Sequence, residues 1–336
     1  MRATIATTLL AVALVALPAA AFAKRHAKAA APVETAPAAT APAAAAPAVA
    51  TPASAAPAVM AATPAAQPAA AATACKNPNG IGVSRVVEID TTGGPGFGFQ
   101  HYKIHDFLQD HEVVLTFDDG PLPARTKPIL ATLADHCTKA LFFPVGKLAI
   151  GYPEVLREEL KEGHTVGAHT FNHLDISKIP GDKGLEEIER GFSAVKRGAG
   201  QPTAPFFRYP FLRDSPDSLA HLGSRNIAIF STDIDSFDFK PQTAEHLVTS
   251  LLGKLDKQGK GIILMHDIQP HTAQALPALL AGLKAKGFKI VQIKAKDAVK
   301  TLPEYDALID KDAKGLSAPG GERPTSSVVK TIGGPQ

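Results

Sequence analysis

Two aspartates stand side by side in VVLTFDDGPLP, Val113 to Pro123, at the end of an apolar run. Neighbouring carboxylates repel, so such a pair needs cations close by. Downstream, HTFNH sets His169 and His173 four positions apart. Two imidazoles and one carboxylate suit Zn²⁺ or another divalent ion that keeps positions open for water and substrate. An ion held in this way brings the pKa of bound water towards ~7 and polarises a carbonyl oxygen. Hydrolysis further needs a base for the water's proton and an acid for the leaving group. The aspartate that does not hold the ion suits the base, and spacing alone allows either Asp118 or Asp119 in that role. Arg208, in PFFRYPF, can orient the base and keep it ionised. His266, ending GIILMH, suits the acid if Asp235 or Asp238 keeps it protonated. Ser231 and Ser236 sit in no G-x-S-x-G elbow and the chain has no HExxH helix, which ranks serine-hydrolase and metalloprotease chemistry lower.

These residues are scattered in sequence, so a fold must gather them. Apolar β-rich runs alternate with helical patterns, the mark of repeated βα units around a parallel sheet. The strand candidates are 113–117, 139–145, 164–168, 205–208, 227–231, 261–265 and 288–293. Helical faces lie between them: Ile129, Leu130 and Leu133 after Pro128; Leu156 and Leu160 between Pro153 and Gly163; Leu185, Ile188, Phe192 and Val195; Leu247, Val248, Leu251 and Leu255; and Leu279, Leu280 and Leu283 before Gly287. Seven strands with intervening helices predict a closed or nearly closed barrel, with a doubly wound open sheet as the alternative. In a parallel barrel the C-terminal strand ends share one rim. Asp118 and Asp119, then His169 and His173, Arg208, the acids Asp233, Asp235 and Asp238, and finally His266 and Asp267 all follow or end such runs.

The rest of the chain frames this domain. Residues 1–23 read as a secretory signal, with Arg2 before LLAVALVAL and an A-x-A site at Ala21 to Ala23. That apolar run is shorter than the ~20 residues a spanning helix needs, so no transmembrane span is expected in the mature chain. Residues 24–74 are dominated by Ala and Pro and predict a disordered tether; residues 75–311 form the folded domain and 312–336 a flexible tail. The formal net charge of +3 is too small to favour nucleic acid or an anionic membrane as partner. Cys75 and Cys137 are the only cysteines; their spacing excludes a CxxC motif, and in an exported protein they can pair. These features point to a secreted or periplasmic protein.

The motifs TFDDGP (116–121), HTFNH (169–173), RYPF (208–211), DIDSFDF (233–239) and LMH (264–266) together resemble the polysaccharide deacetylase family, also called NodB-homology or carbohydrate esterase 4. The resemblance spans about residues 110 to 295. It implies an α/β fold, a distorted (β/α)7 barrel in a single catalytic domain, and metal-dependent removal of N-acetyl groups from carbohydrate polymers. It makes Asp118 the base and Asp119, His169 and His173 the metal ligands. Zn²⁺ is the expected ion, with Co²⁺, Ni²⁺ or Mn²⁺ as alternatives. Arg208 would hold the base, and the backbone N–H near Phe211 would help to stabilise the oxyanion. His266 would protonate the leaving amine, oriented by Asp238, and Leu264 would line the acetyl pocket, with Asp235 and Phe239 also facing substrate.

Two departures stand out: Phe211 replaces a usual tyrosine and Phe239 a usual tryptophan, in a chain with no tryptophan at all. Sugar stacking then falls to side chains such as Phe171, Tyr209 and Phe211. The implied partner is an acetylated polysaccharide or oligosaccharide, such as peptidoglycan, a chitin-like oligomer or an exopolysaccharide. An O-acetyl esterase or small-amide hydrolase using the same site is the alternative. A non-catalytic carbohydrate-binding envelope protein ranks behind both.

Overall fold

The computed structural model describes residues 75–316. The expected signal, tether and most of the expected tail lie outside the described residues. The strands in chain order are β1 (Arg85–Ile89), β2 (Gly96–Phe97), β3 (Glu112–Asp119), β4 (Leu141–Pro144), β5 (Thr165–Val166), β6 (Phe206–Phe207), β7 (Ala228–Phe230), β8 (Ile234–Asp235), β9 (Gly261–His266) and β10 (Lys289–Ala295). The helices are α1 (Pro123–Asp135), α2 (Gly146–Gly151), α3 (Pro153–Lys161), α4 (Gly181–Ala199), α5 (Pro216–Ser224), α6 (Ala244–Gln258), α7 (Pro270–Ala285) and α8 (Pro303–Leu316).

Every strand pairing is parallel. β3 is the centre, paired with β9 along Val113 to Asp118 and with β4 along Thr116 to Asp119. Seven of its eight residues are buried, as an interior parallel strand covered on both faces requires. From β3 the pairing runs through β4 to β5, and a single bridge between Ala168 and Phe207 leads on to β6 and β7. The chain itself carries β7 into β8, which pairs with β9. This circuit is the distorted barrel that the motifs imply. β10 joins the start of β3 and supports β1 on its outer side.

All seven expected strands form. β1, β2 and β8 are additions, as are α2, α5 and α8. Helix α1 begins at Pro123, five residues before Pro128, and buries the expected Ile129, Leu130 and Leu133. Helix α8 corrects the expected start of the tail: residues 312–316 continue a helix tied to α4 by Lys196–Asp306 and Arg190–Asp312 ion pairs, both 2.8 Å. Cys75 and Cys137 are joined by a disulfide, with their Cα atoms 5.6 Å apart. Among the described residues no helix is long and apolar enough to cross a membrane.

Candidate active site

The end of β3 must turn sharply to present both acids. Asp119 has φ 78°, in the left-handed region, and the chain continues at once into Gly120. A Cβ on Gly120 would lie 2.0 Å from Asp267 Oδ2, so only glycine fits there. Asp267 is the reason for that crowding. Its Oδ1 accepts the Gly120 N–H at 2.9 Å, its Oδ2 accepts the Thr126 hydroxyl at 2.5 Å, and its own N–H donates to the Asp118 carbonyl at 3.3 Å.

Asp119 Oδ1 lies 3.2 Å from His173 Nε2 and 3.6 Å from His169 Nε2. One ligand atom from each of the three residues falls within a 4.8 Å cluster. His169 Nδ1 meets the Arg208 carbonyl at 2.5 Å; a carbonyl only accepts, so Nδ1 carries the proton and Nε2 keeps a lone pair for a cation. Burial, aided by His173, pushes His169 down to about 3, leaving it neutral as a ligand must be. Burial opposes charge on Asp119, yet His173 and His266 hold its carboxyl well below the usual range. Its Oδ1 is buried and accepts no hydrogen bond. A buried anionic oxygen facing two imidazole nitrogens fits a divalent cation, and the oxygen and nitrogen donors suit a borderline ion.

Asp118 points to a different partner. Its Oδ1 accepts from Arg208 Nη1 at 2.8 Å, and both side chains are buried. The guanidinium is fully enclosed. Its remaining donors reach Thr116 Oγ1 and the carbonyls of Phe230 and Ser231, and its flat face lies 4.5 Å from the Phe143 ring centre. Burial pushes Asp118 up to about 6, against the pull of Arg208 and His266, which places a proton acceptor close to neutrality.

His266 ends β9 directly beside Asp118 in register. Its Nδ1 donates to Asp238 Oδ1 at 2.6 Å, while Asp238 Oδ2 takes the His266 N–H at 2.7 Å and the Thr272 hydroxyl at 2.6 Å. Burial disfavours the imidazolium, but the Asp238 carboxylate outweighs it and raises His266 to about 10, so the ring is protonated.

These groups surround a cavity of about 410 Å³ lined also by Tyr209, Phe211, Asp235, Phe239 and Leu264. All expected site residues line this cavity except Arg208, which stands buried behind Asp118, and Asp238, which stands behind His266. Asp235 alone of the two candidate acids lines the cavity; Asp238 is the one that holds His266. Phe171 is a correction: it is 3% exposed and packs beneath the Arg190 guanidinium at 4.1 Å, away from the cavity lining. Asp233 is structural, accepting the backbone N–H groups of Phe99 and Ile262. Sequence reasoning did not single out Gln100, Leu212 or Arg213, which also line the cavity. Gln100 precedes the first expected strand, and nothing in its neighbourhood marks it as part of the rim.

The family model for polysaccharide deacetylase matches residues 107–227. A peptidoglycan-N-acetylglucosamine deacetylase of Bacillus cereus is 30% identical over 213 residues, covering 60% of this chain and 74% of the relative. The chain belongs to the polysaccharide deacetylase family. Another relative, a peptidoglycan-N-acetylglucosamine deacetylase of Listeria monocytogenes, is 33% identical over 183 residues, and the match spans 54% of this chain but only 38% of the relative's length. Among solved structures, a peptidoglycan deacetylase of Bdellovibrio bacteriovorus superposes with TM-score 0.59 at 31% identity, covering 66% of this chain and 61% of that one. The barrel and its parallel strands are thus those of the polysaccharide deacetylase family. Asp118, Asp119, His169, His173 and Arg208 all lie within the matched segment.

Proposed function

We propose that this chain is an exported, metal-dependent deacetylase that hydrolyses N-acetyl groups of a carbohydrate polymer, with peptidoglycan, chitin-like oligomers and exopolysaccharide as the substrate range. The observation that carries the reading is the division between the two acids: Asp119 faces His169 and His173, while Asp118 is bound to buried Arg208. Asp119, His169 and His173 would hold the ion, with Zn²⁺ favoured by the mixed nitrogen and oxygen donors. When bound, the ion supplies a Lewis acid that acidifies water and polarises the acetyl carbonyl.

The protein's own groups do the rest. Asp118, steadied by Arg208, takes the proton from the attacking water. His266, held protonated by Asp238, gives its proton to the leaving nitrogen. Leu264 offers an apolar wall for the acetyl methyl, and the turn at Phe211 presents backbone N–H to the developing oxyanion. Export is supported by the N-terminal leader pattern and by the disulfide, a bond that persists in oxidising compartments.

The test is acetate release from chitooligosaccharides, peptidoglycan and acetylxylan, together with metal analysis. Asp118→Asn is expected to keep the metal and lose at least about a hundredfold in kcat, the usual worth of a general base. His169→Ala is expected to lose both metal and activity. Wild-type turnover in Asp118→Asn would overturn the mechanism.

A further inference from the structure

Beside Phe239, which lines the cavity, stands a second aromatic ring. The Phe239 ring stands edge-on to His266 with centres 5.9 Å apart, and Phe237 stands edge-on to Phe239 at the same 5.9 Å. Both are largely apolar side chains left open to solvent, 48% and 40% exposed. Phe237 is held outward by an unusual backbone: its φ is 53°, a left-handed value rare for a bulky residue. The turn is locked by hydrogen bonds. The Phe237 N–H donates to Asp235 Oδ1 at 2.8 Å, and its carbonyl accepts from the Lys240 N–H at 2.9 Å and from Gln242 Nε2 at 2.7 Å. A strained, over-determined turn that displays an aromatic ring beside a site is a signature of function.

Two cations attend that ring. Lys240 Nζ lies 4.4 Å from the Phe237 centre and 5.7 Å from that of Phe239, and Lys254 Nζ lies 4.5 Å from Phe237. Lys254 also donates to the Asp235 carbonyl at 2.6 Å, which ties it to a residue of the cavity wall. Among the described residues neither ammonium has a carboxylate within ion-pair distance. Burial and the nearby Lys240 charge, against the pull of Asp235, hold Lys254 below the ordinary lysine range. Two ammonium groups that make no salt bridge among the described residues, with Asp235 the carboxylate that attracts Lys254, stand beside Phe239 of the cavity wall and make a place for an anion. The C–H faces of a sugar stack on aromatic rings, and the exposed Phe239 ring offers that surface while the ammonium groups over Phe237 meet the charge, so one ligand can satisfy both features.

We propose that Phe237, Lys240 and Lys254 form an anion-reading subsite beside the cavity, selecting N-acetylated glycans that carry a carboxylate next to the sugar being deacetylated. This inference rests on the deacetylase reading and narrows its substrate. The carboxylate can belong to an ether substituent of the sugar or to an attached peptide, and both present the same charge.

The full-length, zinc-loaded protein is assayed on neutral N-acetylglucosamine oligomers, on oligomers with a carboxylated ether substituent, and on peptide-bearing oligomers. For the Lys240→Gln, Lys254→Gln double variant, KM for carboxylated oligomers is expected to rise about tenfold with kcat retained, while neutral oligomers are unaffected. The wild type's preference is expected to shrink as salt rises. Lys240→Gln alone, which breaks no hydrogen bond, is expected to move KM in the same direction. A rise confined to one of the two carboxylated arms identifies the source of the charge. Equal shifts for neutral and carboxylated oligomers, or no shift, would overturn the subsite. Binding of an oligo-uronate, which has no acetyl group to lose, gives an independent reading and is expected to weaken in the double variant. No acetate release from any oligomer, with oligo-uronate preference intact, would sink the deacetylase reading and leave the subsite standing.

Discussion

Asp267 stands behind the two acids with both of its oxygens committed to the loop that carries them, one to the Gly120 N–H and one to the Thr126 hydroxyl. Removing it in Asp267→Ala leaves those two donors without partners and frees the turn that aims Asp119. Metal affinity is expected to fall 10–100-fold, the usual effect of losing an outer-shell support. Asp267→Asn is expected to recover most of it, since its oxygen still accepts from Gly120 and the Thr126 hydroxyl can reverse to accept from the amide. A metal titration beside a thermal melt separates loss of affinity from loss of fold; unchanged affinity in the alanine variant would refute the role. The acids, histidines and arginine of the site were legible in sequence because their chemistry demands those residue types at strand ends. The support given by Asp267 was not, because a carboxylate that only accepts from backbone and hydroxyl leaves no pattern in residue types. Phe171 was misread for a related reason. In a loop the side-chain direction follows no period, and this ring turns inward beneath Arg190.

Between elements, the least expected link is that of α4 to α5. Glu189, on α4, is 1% exposed; its Oε1 accepts from His221 Nε2 at 2.7 Å and from Arg225 Nε at 2.9 Å. Burial would raise this carboxyl, but the hydrogen bonds from His221 and Arg225 outweigh it and hold the pKa below the ordinary value. The charged form therefore favours the folded state. Its contribution is complete above roughly pH 4.3 and is lost as pH falls through the lower folded value. Glu189→Gln is expected to cost about 3 kcal/mol at neutral pH, and denaturant titrations should find that deficit shrinking as pH falls below about 4.3. Long apolar strands such as β3, β9 and β10 were legible because burial on both faces leaves continuous apolar runs. The two-residue strands β2 and β8 carry too little sequence for any period to register. Helix α8 was hidden by its charge: it is rich in acids and lysine, with Ile309 its fully buried apolar anchor.

For the whole molecule, the Cys75–Cys137 bridge closes a span of 62 residues at the end of α1 remote from Thr126. A loop of that length restricts the unfolded chain by about 4 kcal/mol. The Cys75→Ser, Cys137→Ser double variant is expected to lose about 3 kcal/mol of stability while the folded fraction keeps its kcat and KM, because α1 puts ~20 Å between the bridge and the site. Activity loss beyond the unfolded fraction would contradict this. The central place of β3 has a consequence in time. The strand bearing both acids is fixed by partners such as Ile263, 147 residues away along the chain from Thr116, and Asp118 pairs in register with His266. Such distant pairings form late, after much of the chain has collapsed. During synthesis Asp119, His169 and His173 thus emerge well before β9, the strand that fixes β3, so a cation held by the proposed trio would enter a finished barrel rather than seed its folding.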